Sequence, residues 1–201
     1  AAKSSNEEMK IYLGKILAGE IRNPNTFSVA SIQTLTTISH ASAKKFETLC
    51  NFSFAIPGHV AVVTGPYSPP EQNGLLELGV TYNDLCNLRV AGLLMPDLSS
   101  TWNFAKAQEI PTIEFCRIKI LFQPLDENPH SLATERAMLF SNAGIELRRI
   151  ISMHPNPAHI VKLQEWLRGK KNCELMFYNQ TGQLIAADDP KILSQFEISE
   201  K

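Results

Sequence analysis

The sequence predicts an α+β protein: an N-terminal three-helix unit, then a winged-helix-like module and a C-terminal β-hairpin. Three observations predict this order. Apolar residues recur at helical spacing up to residue 50. A stretch rich in proline and glycine follows at residues 64–70, and alternating β-rich runs come after it. We therefore expect a helical module at residues 1–56 and a winged-helix-like α/β module with the hairpin at residues 57–201.

The N-terminal unit is predicted to contain three short amphipathic helices. The first should run from about Asn6 to Ile21, behind a capping box formed by Ser5 and Glu8. Ser28 can cap the second helix, and Ser39 or Ser42 can cap the third. The spacing predicts the following inward side chains: Met9, Leu13, Ile16, Leu17, Ile21, Ile32, Leu35, Ile38, Ala43, Phe46, Leu49 and Cys50.

A structural corner is predicted between the first two helices. Its members are Gly19, Glu20, Pro24 and Ser28. The glycine permits close packing, the proline ends the helix because the residue before it avoids the α region, and the serine caps the next helix. Because the helix macrodipole disfavours a carboxylate near a C-terminus, Glu20 should have a partner. Arg22, Lys15 and a backbone N–H of the following turn are the alternatives.

The second module has the element order of a winged helix. A helix over residues 71–78 should end at Gly79, and Thr81 with Asp84 should cap the next helix. Strands at residues 112–122 and 137–140 would then flank a polar wing-tip loop at residues 123–134, and Ser141 would cap a further helix.

The last third of the chain is predicted to be a small α/β segment. Asn156 and Pro157 should begin a helix that Gly169 ends. Residues 173–187 contain two β-rich runs around a turn with glycine, which predicts a hairpin. A short helix should follow Asp189-Pro190.

The stretch from Leu17 to Leu35 resembles an uncharacterised bacterial family, domain of unknown function 2806. The matching positions are Leu17, Ala18, Gly19, Glu20, Ile21, Pro24, Phe27, Ser28, Thr34 and Leu35, whereas Asn25 and Thr26 replace the family's glycine and serine. The resemblance implies a bacterial origin and a link to phage or stress response. It implies no catalytic residues. Family members tend to carry a segment upstream of this motif, so the chain is expected to be the C-terminal part of a longer protein.

The totals exclude several classes of protein. Net charge is -1 over 201 residues, and no apolar run approaches the roughly 20 residues that span a bilayer. The polar N-terminus is unlike a signal peptide. We therefore expect no membrane partner. Four widely separated cysteines predict reduced, buried thiols in a cytoplasmic protein.

The sequence contains no recognised reactive motif. It has no nucleophile elbow, phosphate-binding loop or dinucleotide-binding loop. His154 and His159 have ligand-like spacing, but a zinc site needs a second pair, so we expect two surface histidines at a helix start. We therefore predict no catalytic residues, no cofactor and no metal.

These observations favour a non-enzymatic protein-interaction or regulatory module that binds a protein partner or a second copy of itself. The alternative is a winged-helix DNA-binding protein. Phosphate contacts need lysine and arginine. The candidates for such contacts are Arg148, Arg149, Arg168, Lys170 and Lys171. The net charge and a recognition helix with Arg89 as its one basic residue argue against this alternative.

Overall fold

The structure is a computed structural model, and it combines helices with one antiparallel sheet, which confirms the predicted α+β class. The described residues are 2–24, 26–56, 59–64, 66–67, 75–98, 100–102, 112–115, 118–124, 135–154, 157–171, 173–178 and 183–185.

Three helices open the chain, as predicted. They are α1 (Ala2–Arg22), α2 (Val29–Thr37) and α3 (His40–Cys50). Ser28 and Ser39 are the N-cap residues of α2 and α3, and each side chain accepts a hydrogen bond from the backbone N–H three residues later. Because α1 begins at Ala2, the expected capping box at Ser5 lies inside the helix rather than at its start.

The inward face of α1 differs from the expected face. Ile16 is buried in the main hydrophobic cluster, with Tyr12 and Leu13 packed against it, whereas Leu17 and Ile21 are exposed. Each residue turns a helix by about 100°, so Leu17 points well away from Ile16. The prediction that Leu17 and Ile21 pack inward is wrong.

Four further helical segments were found among the described residues. A 3-10 turn covers Leu76–Leu78, and three α-helices follow: α4 (Tyr82–Val90), α5 (Asn142–Arg148) and α6 (Pro157–Lys171). The predicted helix at residues 71–78 is represented only by this 3-10 turn, since residues 71–74 lie outside the described part. Thr81 and Asp84 form the predicted capping box of α4, and Ser141 caps α5.

The strands form an eight-stranded sheet with the order β3-β6-β2-β1-β4-β5-β7-β8. All the pairings are antiparallel. The strands are β1 (Phe54–Ile56), β2 (His59–Val63), β3 (Ser100–Trp102), β4 (Thr112–Phe115), β5 (Ile118–Pro124), β6 (Glu135–Leu139), β7 (Cys173–Tyr178) and β8 (Leu184–Ile185). The predicted C-terminal hairpin is β7–β8, and β7 joins it to the sheet by pairing with β5.

The strand pairing differs from the winged-helix expectation. The run at residues 112–122 contributes to two strands, β4 and β5, which pair with each other. Strand β6 pairs with β2 and β3, so three strands separate it from β5. The expected pair of wing strands is therefore wrong. The expected wing-tip loop lies largely outside the described residues, as does the helix expected after Asp189-Pro190.

The centre of the sheet is buried on both faces. Val60 and Val62 belong to the main hydrophobic cluster with α1–α5, while Ala61 is buried between them. Successive side chains of a strand point to opposite faces. Phe54 is the cross-strand partner of Ala61, and its ring lies 5.7 Å from that of His159 in α6. Helices α1–α5 thus cover one face at the centre of the sheet, and α6 covers the other.

The predicted division between residues 56 and 57 falls inside the β1–β2 hairpin. Strands β1 and β2 pair over three registered positions on either side of it. The main cluster also draws on residues before and after it, including Phe46, Phe140 and Leu147. The division into two modules therefore cuts through paired strands and through one core.

Gly144 tests how closely α5 packs on the loop after α4. A Cβ atom at Gly144 would overlap the carbonyl oxygen of Leu93 and lie 3.1 Å from its carbonyl carbon, both backbone atoms. Gly144→Ala should therefore lower the free energy of unfolding by about 3 kcal/mol or more. Gly169→Ala is the control, because nothing lies within 4 Å of that position. Urea unfolding should show the control unchanged or slightly stabilised; equal effects would contradict the close approach.

Candidate functional site

The corner between α1 and α2 is tightly built. The backbone N–H of Asn23 donates to the Gly19 carbonyl at 2.8 Å, and the chain then leaves the helix at Pro24. The buried ring of Phe27 returns to Gly19, where a Cβ atom would lie 2.9 Å from Phe27 Cε2. The close packing at Gly19 is thus against an aromatic ring of the turn itself.

Glu20 braces this turn. Its Oε1 accepts a hydrogen bond of 2.6 Å from the backbone N–H of Phe27. Of the three partners weighed from the sequence, the backbone N–H of the following turn is therefore in contact with the carboxylate. This bond offsets the unfavourable position of a carboxylate at the helix C-terminus.

Glu146 of α5 joins the corner from a distant part of the chain. Its Oε2 accepts 2.6 and 2.5 Å hydrogen bonds from Ser28 N–H and Ser31 Oγ respectively. Burial alone would raise the pKa of Glu146, but the bonds from Ser31 and Ser28 and the charge of Arg149 lower it below its usual value. This carboxylate was missed from the sequence because 118 residues separate it from Ser28.

A cleft of about 450 Å³ lies beside the corner. Its lining includes three cationic residues, Lys15 and Arg22 from α1 and Arg149 from the end of α5, together with Gly19 and Phe27 of the corner. Lys15 Nζ donates to the Ile150 carbonyl at 2.9 Å. None of the described residues that line the cleft is acidic, so the cleft can attract anions.

Three of the candidate nucleic-acid residues, Arg148, Arg149 and Arg168, have described side chains, and they lie in different places. Arg148 is half-buried, and its guanidinium donates to the hydroxyl and carbonyl oxygens of Ser53 at 2.7 and 3.3 Å. Arg149 is exposed and lines the cleft. Arg168 is exposed on α6, which covers the opposite face of the sheet. Lys170 and Lys171 end α6, and their side chains lie outside the described part.

The outer face of α1 carries exposed apolar side chains, with the exposed Lys10 among them. Ile11, Leu17 and Ile21 are 58, 63 and 82% exposed, and Val29 at the start of α2 is 71% exposed. Gly14 and Ala18 lie on the same face, and a Cβ atom at Gly14 would have nothing within 4 Å. We call residues Ile11, Gly14, Leu17, Ala18 and Ile21 the outer stripe of α1.

A second polar group lies on the inner side of α6. It is His159, a residue of this helix that is 2% exposed. The expectation of two surface histidines is therefore wrong for His159, although His154 is exposed. The Nδ1 atom of His159 lies 2.5 Å from the Tyr67 hydroxyl, and the rings of Phe52 and Phe54 flank the imidazole. Local spacing could not predict this burial, because the aromatic residues that surround His159 lie far from it in the chain.

Burial keeps both members of this pair neutral. The pKa of His159 is lowered to about 4. Burial is the main cause, a backbone hydrogen bond with Phe52 opposes it, and the charge of Lys162 adds to it. Burial and then Glu77 raise the pKa of Tyr67 to about 12. Lys162 lies over the Tyr67 ring at 4.6 Å and forms an ion pair with Glu77. Near neutral pH this pair is a packed hydrogen-bonded unit rather than a proton donor and acceptor.

The described side chains show no other reactive grouping. No three of their histidine, cysteine, aspartate or glutamate residues converge as metal ligands would. Cys50 is a buried thiol whose pKa is raised by burial, and Cys86 is a half-buried thiol. None of the helices within the described ranges is long and apolar enough to cross a bilayer.

Substitution of Gly19 tests the corner. Gly19→Leu should lower the free energy of unfolding by about 1–3 kcal/mol, because the new side chain overlaps the Phe27 ring. Gly14→Leu is the matched control on the same helix, since Gly14 faces open space. Thermal and urea unfolding should separate the two variants, and equal stabilities would contradict the packing of Phe27 on Gly19.

The buried imidazole predicts a pH dependence of stability. The pKa of His159 is about 4 in the folded chain and 6.5 ordinarily, so the unfolded chain takes up the proton first. His159 therefore stabilises the fold above about pH 6.5, and this contribution is lost as the pH falls towards 4.

Between pH 7 and 5 the free energy of unfolding should fall by about 2 kcal/mol more in the unmodified chain than in His159→Phe. Urea titrations at both pH values provide the measurement. His154→Gln, which alters an exposed imidazole, is the control and should behave like the unmodified chain. An identical pH dependence in His159→Phe would show that His159 ionises freely when folded.

Comparison with known proteins identifies one family. No curated protein and no solved structure matches the chain. Residues 1–164 match the family described as protein of unknown function (DUF2806), which confirms the family expected from the sequence. Because the match covers most of its length, the chain belongs to the DUF2806 family.

Proposed function

We propose that this chain is a non-enzymatic protein-interaction module whose contact surface is the outer stripe of α1. The observation that carries the proposal is the exposure of Leu17 and Ile21, at 63 and 82%, on a helix whose other face is buried. Contiguous exposed apolar side chains mark protein contact sites. Val29, exposed after the corner, adds a further apolar side chain at the start of α2.

The spacing of the stripe fits a helical partner. Gly14, Leu17, Ala18 and Ile21 follow the i, i+3, i+4, i+7 pattern that forms one line along a helix. The small residues at positions 14 and 18 permit close approach, while Leu17 and Ile21 supply the apolar contact. The partner therefore presents an amphipathic helix, either from another protein or from a second copy of this chain.

The polar chemistry of the described residues supports a binding role over a catalytic one. His159 is buried and Tyr67 is half-buried, both are neutral near pH 7, and the Cys50 thiol is buried. The carboxylates at the corner, Glu20 and Glu146, hold backbone and hydroxyl groups of the turn. These groups act in folding, and among the described residues the outer stripe is an exposed surface that remains available for a contact.

The proposed setting is the bacterial cytoplasm, in a phage-related or stress-related system. Its support is the resemblance to the family around Leu17-Ala18-Gly19-Glu20-Ile21. Winged-helix DNA binding is the weaker alternative. Arg148 is engaged with Ser53, and the strands expected to form the wing do not pair with each other.

Photo-crosslinking tests the proposed surface. A crosslinking amino acid replaces Ile21 in the chain expressed in its native cells, and the control chain carries it at Val90, which is 86% exposed on α4. We expect a discrete protein adduct from position 21 and none from position 90. Leu17→Asp in the position 21 chain should remove the adduct, because burial of one leucine contributes about 1.5–3 kcal/mol.

The mass of the adduct identifies the occupant. An adduct of the chain with itself indicates a homo-oligomer, and any other discrete protein is the partner. Both results support the proposal when Leu17→Asp abolishes the adduct. No adduct at position 21, or the same adducts from position 90, would overturn it.

A further inference from the structure

We propose that the cationic cleft beside the α1–α2 corner binds a phosphorylated small molecule. The cleft adjoins the outer stripe and shares Ala18 with it, but its cations, Lys15, Arg22 and Arg149, are not part of the stripe, so the two proposals can be tested separately. The cleft is built from two parts of the chain that come together only in the folded protein.

The three cations converge on one concave space. Lys15 and Arg22 are seven residues apart, which is about two helical turns, so both lie on the same side of α1. Arg149 follows α5 and reaches the cleft from the opposite wall, together with Ile150 and Ser152. Three positive charges from two distant parts of the chain thus line one concave space.

The neighbouring carboxylates hold other groups. Glu20 Oε1 accepts the Phe27 N–H, and Glu146 Oε2 accepts both Ser28 N–H and Ser31 Oγ. Glu146 is also close enough to Arg149 for their charges to interact. Neither carboxylate belongs to the described lining of the cleft. Within that lining the three cations have no acidic neighbour, which favours an added anion.

The donor chemistry favours phosphate. Arginine presents planar N–H donors that match phosphate oxygens in pairs. The hydrogen bond from Lys15 Nζ to the Ile150 carbonyl, at 2.9 Å, orients the ammonium and leaves further N–H donors for a ligand. Asn23, Thr26 and Ser152 add polar groups to the lining.

The volume of the cleft and the apolar part of its lining favour a compact organic phosphate. A volume of about 450 Å³ is within the range of small-molecule sites. Ala18, Gly19 and Phe27 contribute apolar surface beside the cations. A nucleotide or sugar phosphate has both the charged group and the less polar body that this lining can contact.

Calorimetric titration tests the proposal with three probes: inorganic pyrophosphate, adenosine diphosphate and adenosine. Each is added to the full chain at constant ionic strength, so that general screening is equal. We expect both phosphates to bind with dissociation constants below about 1 mM and adenosine not to bind. Binding of pyrophosphate without binding of adenosine diphosphate would show that the cleft excludes the organic body, and it would overturn the proposal of an organic phosphate.

The double variant Arg22→Gln/Arg149→Gln should weaken phosphate binding by about tenfold or more, because charge-assisted hydrogen bonds are lost. Both arginines are exposed, so circular dichroism should show an unchanged fold. Lys10→Gln is the matched control. Lys10 is exposed on α1 about 120° around the helix from Arg22, outside the cleft lining, and should bind as the unmodified chain does.

Three further outcomes of the titrations would overturn the proposal. They are no binding of either phosphate at millimolar concentration, binding of adenosine equal to that of adenosine diphosphate, and binding unchanged in the double variant. A fourth arm uses duplex DNA at low and high salt. Steeply salt-dependent DNA binding without binding of the small phosphates would assign the cations to a nucleic-acid backbone and would also overturn the proposal.

Discussion

The burial of strand β2 on both of its faces is the constraint on which the rest of the fold depends. Residues Val60 to Val63 are all buried, so neither face of the strand can be left to water. Helices α1–α5 cover one face and α6 covers the other, while β1 and β6 pair with the backbone on either side. Parts of the chain from both ends must therefore assemble together around one strand.

Hydrogen bonds to a single carboxylate then fix how α2 packs against α5. One carboxylate, Glu146, joins the N-terminus of α2 to α5 through Ser28 and Ser31. A carboxylate is favourable at this end of a helix because of the exposed N–H groups and the macrodipole. Arg149 lies three residues further along and lines the cleft. The contact that stabilises the corner also positions one wall of the candidate ligand site.

The proposed functions of this molecule use two surfaces, the outer stripe of α1 and the cationic cleft. The polar groups with the most strongly shifted pKa values, Cys50, His159 and Tyr67, are held inside the fold in their neutral forms. The exposed features of the described residues include an apolar helical stripe and a cleft lined by cations. Both lie on α1, so one helix carries the proposed protein contact and the proposed anion site.

The sequence by itself determined where several helices begin and where tight turns occur. Ser28, Ser39, Thr81 and Ser141 cap helices as predicted, and Gly79 and Gly92 adopt positive φ at turns, because these interactions span about three residues. The brace at Glu20 was also within reach, since its partner Phe27 is seven residues away. The α+β class followed from the same local patterns.

Only the tertiary structure decided the rest. The inward side of α1, the distance between β5 and β6, the burial of His159 and the role of Glu146 all depend on contacts between residues far apart in the chain. Periodicity shows that a helix is amphipathic but not which residues at its edges are covered. Which of these residues are covered depends on the elements that pack against the helix, because the free energy of burial is gained only when distant elements meet.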